Sequence, residues 1–433
     1  MGRFLKYWLL GALFTLALLC SGCAAGTLDG TLYRLPKLPA EYESLEKQLD
    51  ELLSSGAEYA APTSGSNLQS VQMVDLDGDG EDEAVAMFRR ANDEHPMKIY
   101  VFRADGSNYE QYCVIEGTSN AIYSINYVDL NGDGWREILA GIRSDLDVQN
   151  LSVYSLASGT PQQLLLTGYS RYAARDMDGD GQQDLVVLRS DEESYAVADY
   201  YNWNGAEMEL RSSLHLSGSV AELNRLTYGT LSGGESALFV TSVSPDGVAN
   251  VDILTVDDAV LHSILNGAQA YRFLDLYPGD VNGDGVTEVP EAVPFPLSEP
   301  EGPVYYRICW RQYAATGESA VTRETYQDTQ SGWSLLLPEE WGDQVCVSRA
   351  SNAEGSTVSF FRHDSRRPFL NIYAFTGENR SSLALRRGRI VLSRQAEVSY
   401  AAELFDEGDG MIDEQGLRER FGLVAAEWTT GEN

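Results

Sequence analysis

Short apolar segments separated by polar turns fill most of this chain, and helical periodicity is scarce. EAVAMF (83–88), EILAGI (137–142), DLVVLR (184–189) and EVPEAV (288–293) are strand-length runs, each entered from a turn of aspartate, asparagine and glycine. A second feature accompanies each of them, an apolar stretch with aromatics that is often followed by a glycine-containing turn. Examples are IYVFRADGSNYEQYCVI (99–115), LSVYSLASGTPQQLLL (151–166), YYNWNGAEMEL (200–210) and VYYRICWRQYAATGESAVT (304–322). Two stretches read differently. PAEYESLEKQLDELLSS (39–55) sets Tyr42, Leu45, Leu49 and Leu52 at helical spacing, which predicts a short amphipathic helix packed on the sheets. MIDEQGLRERFGLV (411–424) predicts a second helix. The fold class expected is mainly β.

The turns repeat as closely as the strands. VDLDGDGEDEAVA (74–86) returns as VDLNGDGWREILA (128–140), RDMDGDGQQDLVV (175–187) and GDVNGDGVTEVPE (279–291). Counted from the first aspartate, oxygen-bearing side chains stand at positions 1, 3, 5 and 9. They are Asp75, Asp77, Asp79 and Glu83, then Asp129, Asn131, Asp133 and Glu137, then Asp176, Asp178, Asp180 and Asp184, and finally Asp280, Asn282, Asp284 and Glu288. Positions 4 and 6 are always glycine, which lets the backbone turn sharply enough for successive carboxylates to converge. Carboxylates that close repel unless a cation sits among them. Hard oxygen donors at this density suit Ca²⁺, with the position-7 carbonyls of Glu81, Trp135, Gln182 and Val286 as expected backbone ligands and about four ions in all. An EF-hand is excluded. Its loop needs a bidentate glutamate at position 12 in a following helix, where three copies have Ala86, Ala140 and Val187, and Pro290 precedes Glu291 in the fourth.

The first aspartates fall at 75, 129, 176 and 280, so the last interval is about twice the others and predicts a degenerate unit near 229. YGTLSGGESALFV (228–240) fits, with Gly229, Leu231, Gly233 and Ala237 at the ligand positions. Five units of about 50 residues, each of about four strands, is how propeller blades read. SVQMV (70–74) is expected to complete the final blade and fasten the circle. The D-x-[DN]-G-D-G-x-x-[DE] turns over residues 70–326 resemble the FG-GAP/VCBS repeat family, the calcium-loop blades also found in integrin alpha subunits. The resemblance implies a β-propeller, loop-bound Ca²⁺ and extracellular binding or adhesion, and it implies no catalytic activity.

The flanks complete the expected organisation. Arg3 and Lys6 precede an apolar run over 8–19, and Cys20-Ser21-Gly22-Cys23 resembles a bacterial lipobox. Residues 1–22 are therefore expected to be a lipoprotein signal peptide, Cys23 the lipidated first residue, and 23–68 a tether with the short helix. The mature protein would sit on the outer face of the cytoplasmic membrane, and the whole chain is similar to bacterial VCBS-repeat lipoproteins. Residues 69–326 would form the propeller, and 327–433 a small α+β domain. FDEGDGMIDE (405–414) reads as a helix-leading turn, since Gly408 and Gly410 stand where ligands are needed. Trp333 and Trp341 read as core aromatics, with a sugar-stacking platform as the alternative. Cys113, Cys309 and Cys346 lie in strand-like stretches and read as buried free thiols.

Charge narrows the partners. A formal net charge of −34 argues against nucleic acid, whose phosphates need a basic footprint. Two functional classes remain. One is a non-catalytic, calcium-rigidified module that binds a glycan, a wall component or a protein. The other is a glycoside hydrolase-like enzyme with carboxylates in the propeller channel. The first is preferred, because nearly all the placeable acids are committed to the turns and no catalytic motif is present. Acids elsewhere, such as Asp199 and Asp252, read equally well as strand-edge residues.

Overall fold

The computed structural model describes residues 42–106, 108–117, 119, 121–143, 149–265 and 271–424. The expected signal peptide and Cys23 lie outside the described residues.

Six antiparallel sheets follow one another along the chain. The first contains Val71–Val74, Glu83–Arg89, Met97–Asp105 and Asn108–Gly117, with Glu58–Tyr59 added beside Arg89. The second holds Ala121–Val128, Glu137–Arg143, Gln149–Ser155 and Gln162–Gly168, and the third Arg171–Arg175, Asp184–Ser190, Tyr195–Trp203 and Met208–Ser219. The degenerate unit folds as the fourth, with Leu223–Thr230, Ser236–Val243, Val248–Asp257 and Val260–Ser263. Each sheet is a meander in which consecutive strands pair, as the period of the sequence predicts.

Strand alternation explains the stacking. In Asp184–Ser190, Leu185 and Val187 pack towards the second sheet, while Val186 and Leu188 pack towards the fourth. A strand buried on both faces reads as a continuous apolar run, which is how DLVVLR reads. The inner edges also converge. Asn67 and Val74, Asn126–Val128, Tyr172–Arg175 and Leu226–Tyr228 line one cavity of about 590 Å³. Four successive sheets thus present their first strands to a common space, the arrangement of a β-propeller. Cross-links hold these edges together: Thr63 and Ser64 N–H groups donate to the Tyr123 carbonyl at 3.0 and 2.8 Å. Asn126 Nδ2 donates to the Tyr172 hydroxyl at 2.6 Å.

Three expectations change. Residues 71–74 do not complete a final blade, because they pair with Glu83–Ala86 across the first acidic turn and so form the first strand of the first sheet. The boundary expected after 326 falls inside the strand Ser319–Asp328 of the fifth sheet, which continues through Trp333–Leu336. The helix expected over 411–424 is limited to Glu414–Arg420, after which Phe421–Leu423 returns to pair with Trp333–Leu335. The fifth sheet therefore contains Val289–Pro294, Tyr306–Tyr313, Ser319–Asp328, Trp333–Leu336 and Phe421–Leu423.

The C-terminal residues form a sixth sheet of Val345–Asn352, Gly355–Arg362, Pro368–Phe375, Ser399–Leu404 and Ile390–Arg394. It shares a large apolar layer with the fifth, in which Trp333 and Trp341 are fully buried among Tyr326, Val345, Phe360 and Phe369. Both tryptophans are thus core residues, and neither forms an exposed platform. Among the described residues, five apolar clusters each join two neighbouring sheets, and none joins the sixth to the first. Helices cover those two outer faces. Helix α1 (Glu43–Ser54) buries Leu45 and Leu49 against Ala84, Ala86, Phe88 and Phe102, as its spacing predicts. Helix α2 (Arg380–Ala384) sets Leu383 and Ala384 against Tyr373, Phe375 and Ala401.

Because Trp333 lies in the layer shared by two sheets, Trp333→Ala is expected to cost about 3–5 kcal/mol of stability, the range for aromatic truncation in a core. Urea unfolding followed by fluorescence measures it. A loss below ~1 kcal/mol would contradict a shared core.

Candidate metal centres

Each acidic turn joins the first two strands of its sheet or, in the fifth, a bridge between Gly279 and Glu288. The four turns share one hydrogen-bond scheme. The position-1 aspartate accepts from the backbone N–H of both glycines: Asp75 from Gly78 and Gly80 at 2.8 and 3.3 Å, Asp129 from Gly132 and Gly134 at 2.8 and 3.0 Å. Asp176 and Asp280 do the same. The position-5 aspartates Asp79, Asp133, Asp180 and Asp284 accept from the position-7 N–H at 2.7–2.8 Å. Both glycines of every turn have φ between +73 and +92°, a region costly for any residue with a Cβ. The acids are therefore aimed by their own backbone.

Position 9 behaves differently. Glu83, Glu137 and Asp184 begin the strand that follows the turn and Glu288 directly precedes it, and all four side chains are buried under the turn. In each case the carboxylate accepts the N–H of position 2, at 2.8, 2.8, 2.9 and 3.0 Å. Burial pushes Glu83 and Glu137 up to about 7 and Asp184 up to about 6, and it raises Glu288 as well. Nearby turn aspartates add to the effect. By contrast, the backbone N–H groups of Glu81 and Val286 hold Asp79 and Asp284 below the usual carboxylate range.

Oxygens of Asp176, Asp178 and Asp180 lie within 4.8 Å of one another, as do those of Asp75, Asp77 and Glu83. These are hard oxygen donors of the kind that divalent cations such as Ca²⁺ take. Asparagine at position 3 keeps the set oxygen-rich while its amide donates inward. Asn131 Nδ2 reaches Glu137 at 2.9 Å, and Asn282 Nδ2 reaches Glu288 at 2.7 Å.

A residue that the spacing does not mark completes each cage. It lies on the strand that pairs with the one entered from the turn, beside the position-9 acid. In the third sheet it is Asn202, whose Nδ2 donates to Asp184 at 2.8 Å. In the fifth it is Gln312, whose Nε2 donates to Asp284 and Glu288 at 2.8 and 3.0 Å. Ser155 has the same role toward Glu137. In the first sheet the residue is Arg103, whose guanidinium pairs with Asp77 and reaches Asp79 at 3.5 Å and Glu83 at 3.9 Å. Only strand pairing brings these residues to the turns, so the linear motif gives no sign of them.

The fourth turn lacks a donor set. Its strands stay paired to Thr230–Ser236, leaving five residues between them where the first turn has eight between Val74 and Glu83. Gly229 and Ala237 pair directly in the ladder, and Leu231 N–H closes the hairpin on the Glu235 carbonyl at 2.9 Å. Neighbouring turns are hooked together. Arg136 N–H donates to the Leu76 carbonyl at 2.7 Å, and Thr287 N–H to Thr230 at 2.9 Å.

Other candidates are accounted for by packing. Cys113, Cys309 and Cys346 are free and buried; burial pushes the first two thiols up to about 12 and 11 and raises the third. They are therefore poor nucleophiles. Asp199 and Asp252 are buried rather than strand-edge surface residues. Asp199 pairs with Arg189 and accepts from Ser213 at 2.7 Å; Asp252 accepts from Ser217 at 2.6 and 3.0 Å. In FDEGDGMIDE, Asp413 caps helix α3 (Glu414–Arg420) by accepting the Gly416 N–H, as the helix-leading reading expects.

Comparison with known proteins agrees with the turn pattern. Residues 75–140, the first two acidic turns and the strands between them, match the FG-GAP-like repeat. No curated protein matches the sequence. Among solved structures, the chain is similar to an exo-β-1,3-galactanase from Phanerochaete chrysosporium bound to β-1,3-galactotriose. That similarity has 9% identity, covers 77% of this chain and 81% of the other, and has a TM-score of 0.27. Sqt1 of Saccharomyces cerevisiae is similar at 8% identity over 75% and 92% of the two chains, with a TM-score of 0.31. The Dos1 propeller is similar at 8% identity over 79% and 82%, also at 0.31.

The raised position-9 acids fix a pH dependence. In chelator, the folded chain keeps protons that the unfolded chain releases above about pH 4.5, so stability falls as pH rises towards about 7. The chelated protein is expected to melt higher at pH 5.5 than at pH 7.5, and millimolar Ca²⁺ is expected to shrink the gap. A chelated protein that melts higher at pH 7.5 would contradict buried, partly protonated acids.

Proposed function

We propose that this chain is a calcium-binding β-propeller module, anchored by lipid at the cell surface, that binds an extracellular ligand without catalysing a reaction. One observation carries the calcium reading. The same cage of aimed aspartates over a buried carboxylate is built four times, always at the turn that leads into a core strand of a sheet. In the second turn Asp129, Asn131, Asp133 and Glu137 would hold the ion with the Trp135 carbonyl. In the third, Asp176, Asp178, Asp180 and Asp184 would do so with Gln182, and in the fifth Asp280, Asn282, Asp284 and Glu288 with Val286. Bound Ca²⁺ supplies counter-charge, and the protein groups supply a rigid, pre-aimed oxygen shell. Affinity in the ~10⁻⁴–10⁻³ M range of extracellular modules suits a structural ion.

The inner-edge cavities support a binding role. Their walls include Tyr123, Tyr127, Tyr169 and Tyr172, together with Asn67, Asn126, Arg171 and Arg175. Such rings and hydrogen-bonding groups suit a glycan, a wall component or a peptide. The hydrolase alternative needs two carboxylates facing a sugar. Asp199 and Asp252 are instead committed to internal partners, which favours the binder.

A glycan array run beside a broad glycoside hydrolase screen tests the binding reading. Retention of a glycan or wall polymer with no turnover is expected. Turnover lost on replacing a single carboxylate would contradict it. For the calcium reading, chelation is expected to lower the melting temperature and Ca²⁺ to restore it, whereas an unchanged melt would count against structural ions. For the anchor, Cys23→Ser is expected to release the protein into the medium, read by fractionation; retention at the membrane would contradict lipidation at that residue.

A further inference from the structure

We propose that the first acidic turn carries its own permanent cation. The Arg103 guanidinium takes the place that a metal ion takes in the second, third and fifth turns, so the chain binds three divalent ions. This inference rests on the calcium reading above and refines its stoichiometry.

The four cages differ at one position. The residue beside the position-9 acid, on the adjacent strand, is set by the strand register. Ile138 pairs with Tyr154, Leu185 with Tyr201 and Val289 with Arg311, which places Ser155, Asn202 and Gln312 next to the acids of the second, third and fifth turns. All three are neutral, so none of them brings a positive charge to its buried acid. In the first sheet Ala84 pairs with Phe102, and the next residue is Arg103. Its guanidinium touches Asp77, lies 3.5 Å from Asp79 and places Nε 3.9 Å from Glu83. The third turn has the same four-carboxylate set with Asn202 at this place, so the acid count alone does not call for an arginine.

The arginine is also held from outside the cage. It lies 5.9 Å from the Tyr112 ring centre and 5.6 Å from that of Trp135, and those two rings stack on each other at 5.6 Å. Trp135 belongs to the second turn, so the guanidinium is fixed by both neighbouring units. Arginine does not lose its charge at any physiological pH. A divalent ion entering this cage would face a like charge within a few ångströms, or would have to expel a side chain with three carboxylate partners and two rings. The Asp77 and Glu83 side chains beneath are almost fully buried. The sheet nearest the amino terminus thus has a counter-charge that chelation cannot remove.

Equilibrium dialysis of the folded ectodomain against millimolar ⁴⁵Ca²⁺ tests this. Three ions per chain are expected for the natural sequence and four for Arg103→Ser, which gives the first turn the neutral residue of the second. In the natural background, Asp79→Ala is expected to leave three ions, whereas Asp180→Ala, at the position where every acidic turn has aspartate, leaves two; this pair decides the question if Arg103→Ser does not fold. Four ions in the natural protein, with one lost in Asp79→Ala, would overturn the proposal by showing that the arginine yields to metal. Three ions in both the natural protein and Arg103→Ser would also overturn it. Binding of no ions by any variant would instead remove the calcium reading itself.

Discussion

Repulsion between carboxylates crowded into one turn is the constraint on which the rest of the molecule depends. Two charges about 4 Å apart cost about 1 kcal/mol in water and about 4 kcal/mol near a protein surface, and each turn brings three or four acids together. One of them is buried in every turn, where burial alone disfavours its charged form. The turns also form part of the framework, because each joins the first two strands of a sheet and neighbours hook to one another through backbone hydrogen bonds. Electrostatics at the turns and the alignment of sheets are therefore one problem.

Three local solutions appear in the same chain. Neutral amides lend N–H groups to the buried acid in the third and fifth sheets, softening the repulsion without removing it. Arg103 places a full positive charge in the first. The fourth unit loses three residues and every acid at the ligand positions, and becomes an ordinary hairpin closed by backbone bonds. That unit still packs as well as the others, with Leu231, Ala237 and Phe239 fully buried. The apolar layers thus set the blade, and the acidic turns set how its inner edge is held.

Much of this was legible in the residues. Period, glycine positions and the apolar run after each turn are local properties, and they gave the meander sheets, the turn geometry and the degenerate fourth unit. Helix α1 was legible for the same reason, since its apolar face is written at a fixed spacing. What the residues did not show depends on pairing across distance. Residues 71–74 pair across their own turn, where ring closure had suggested a distant partner. Phe421–Leu423 joins a sheet whose nearest strand lies over 80 residues earlier, so a helix seemed to continue where a strand begins. Arg103 follows Asp79 by 24 residues and reaches it only through strand register. The shared layer around Trp333 and Trp341 likewise joins segments that look like separate domains.

A crystal structure of the protein grown in Ca²⁺, with anomalous difference density at each turn, measures the central claim most directly. Peaks ~2.3–2.6 Å from the oxygens of Asp129, Asp176 and Asp280 and their partners are expected, with the Arg103 guanidinium occupying the first turn. Turns without density at saturating Ca²⁺, or an ion in the first turn with Arg103 swung into solvent, would contradict it.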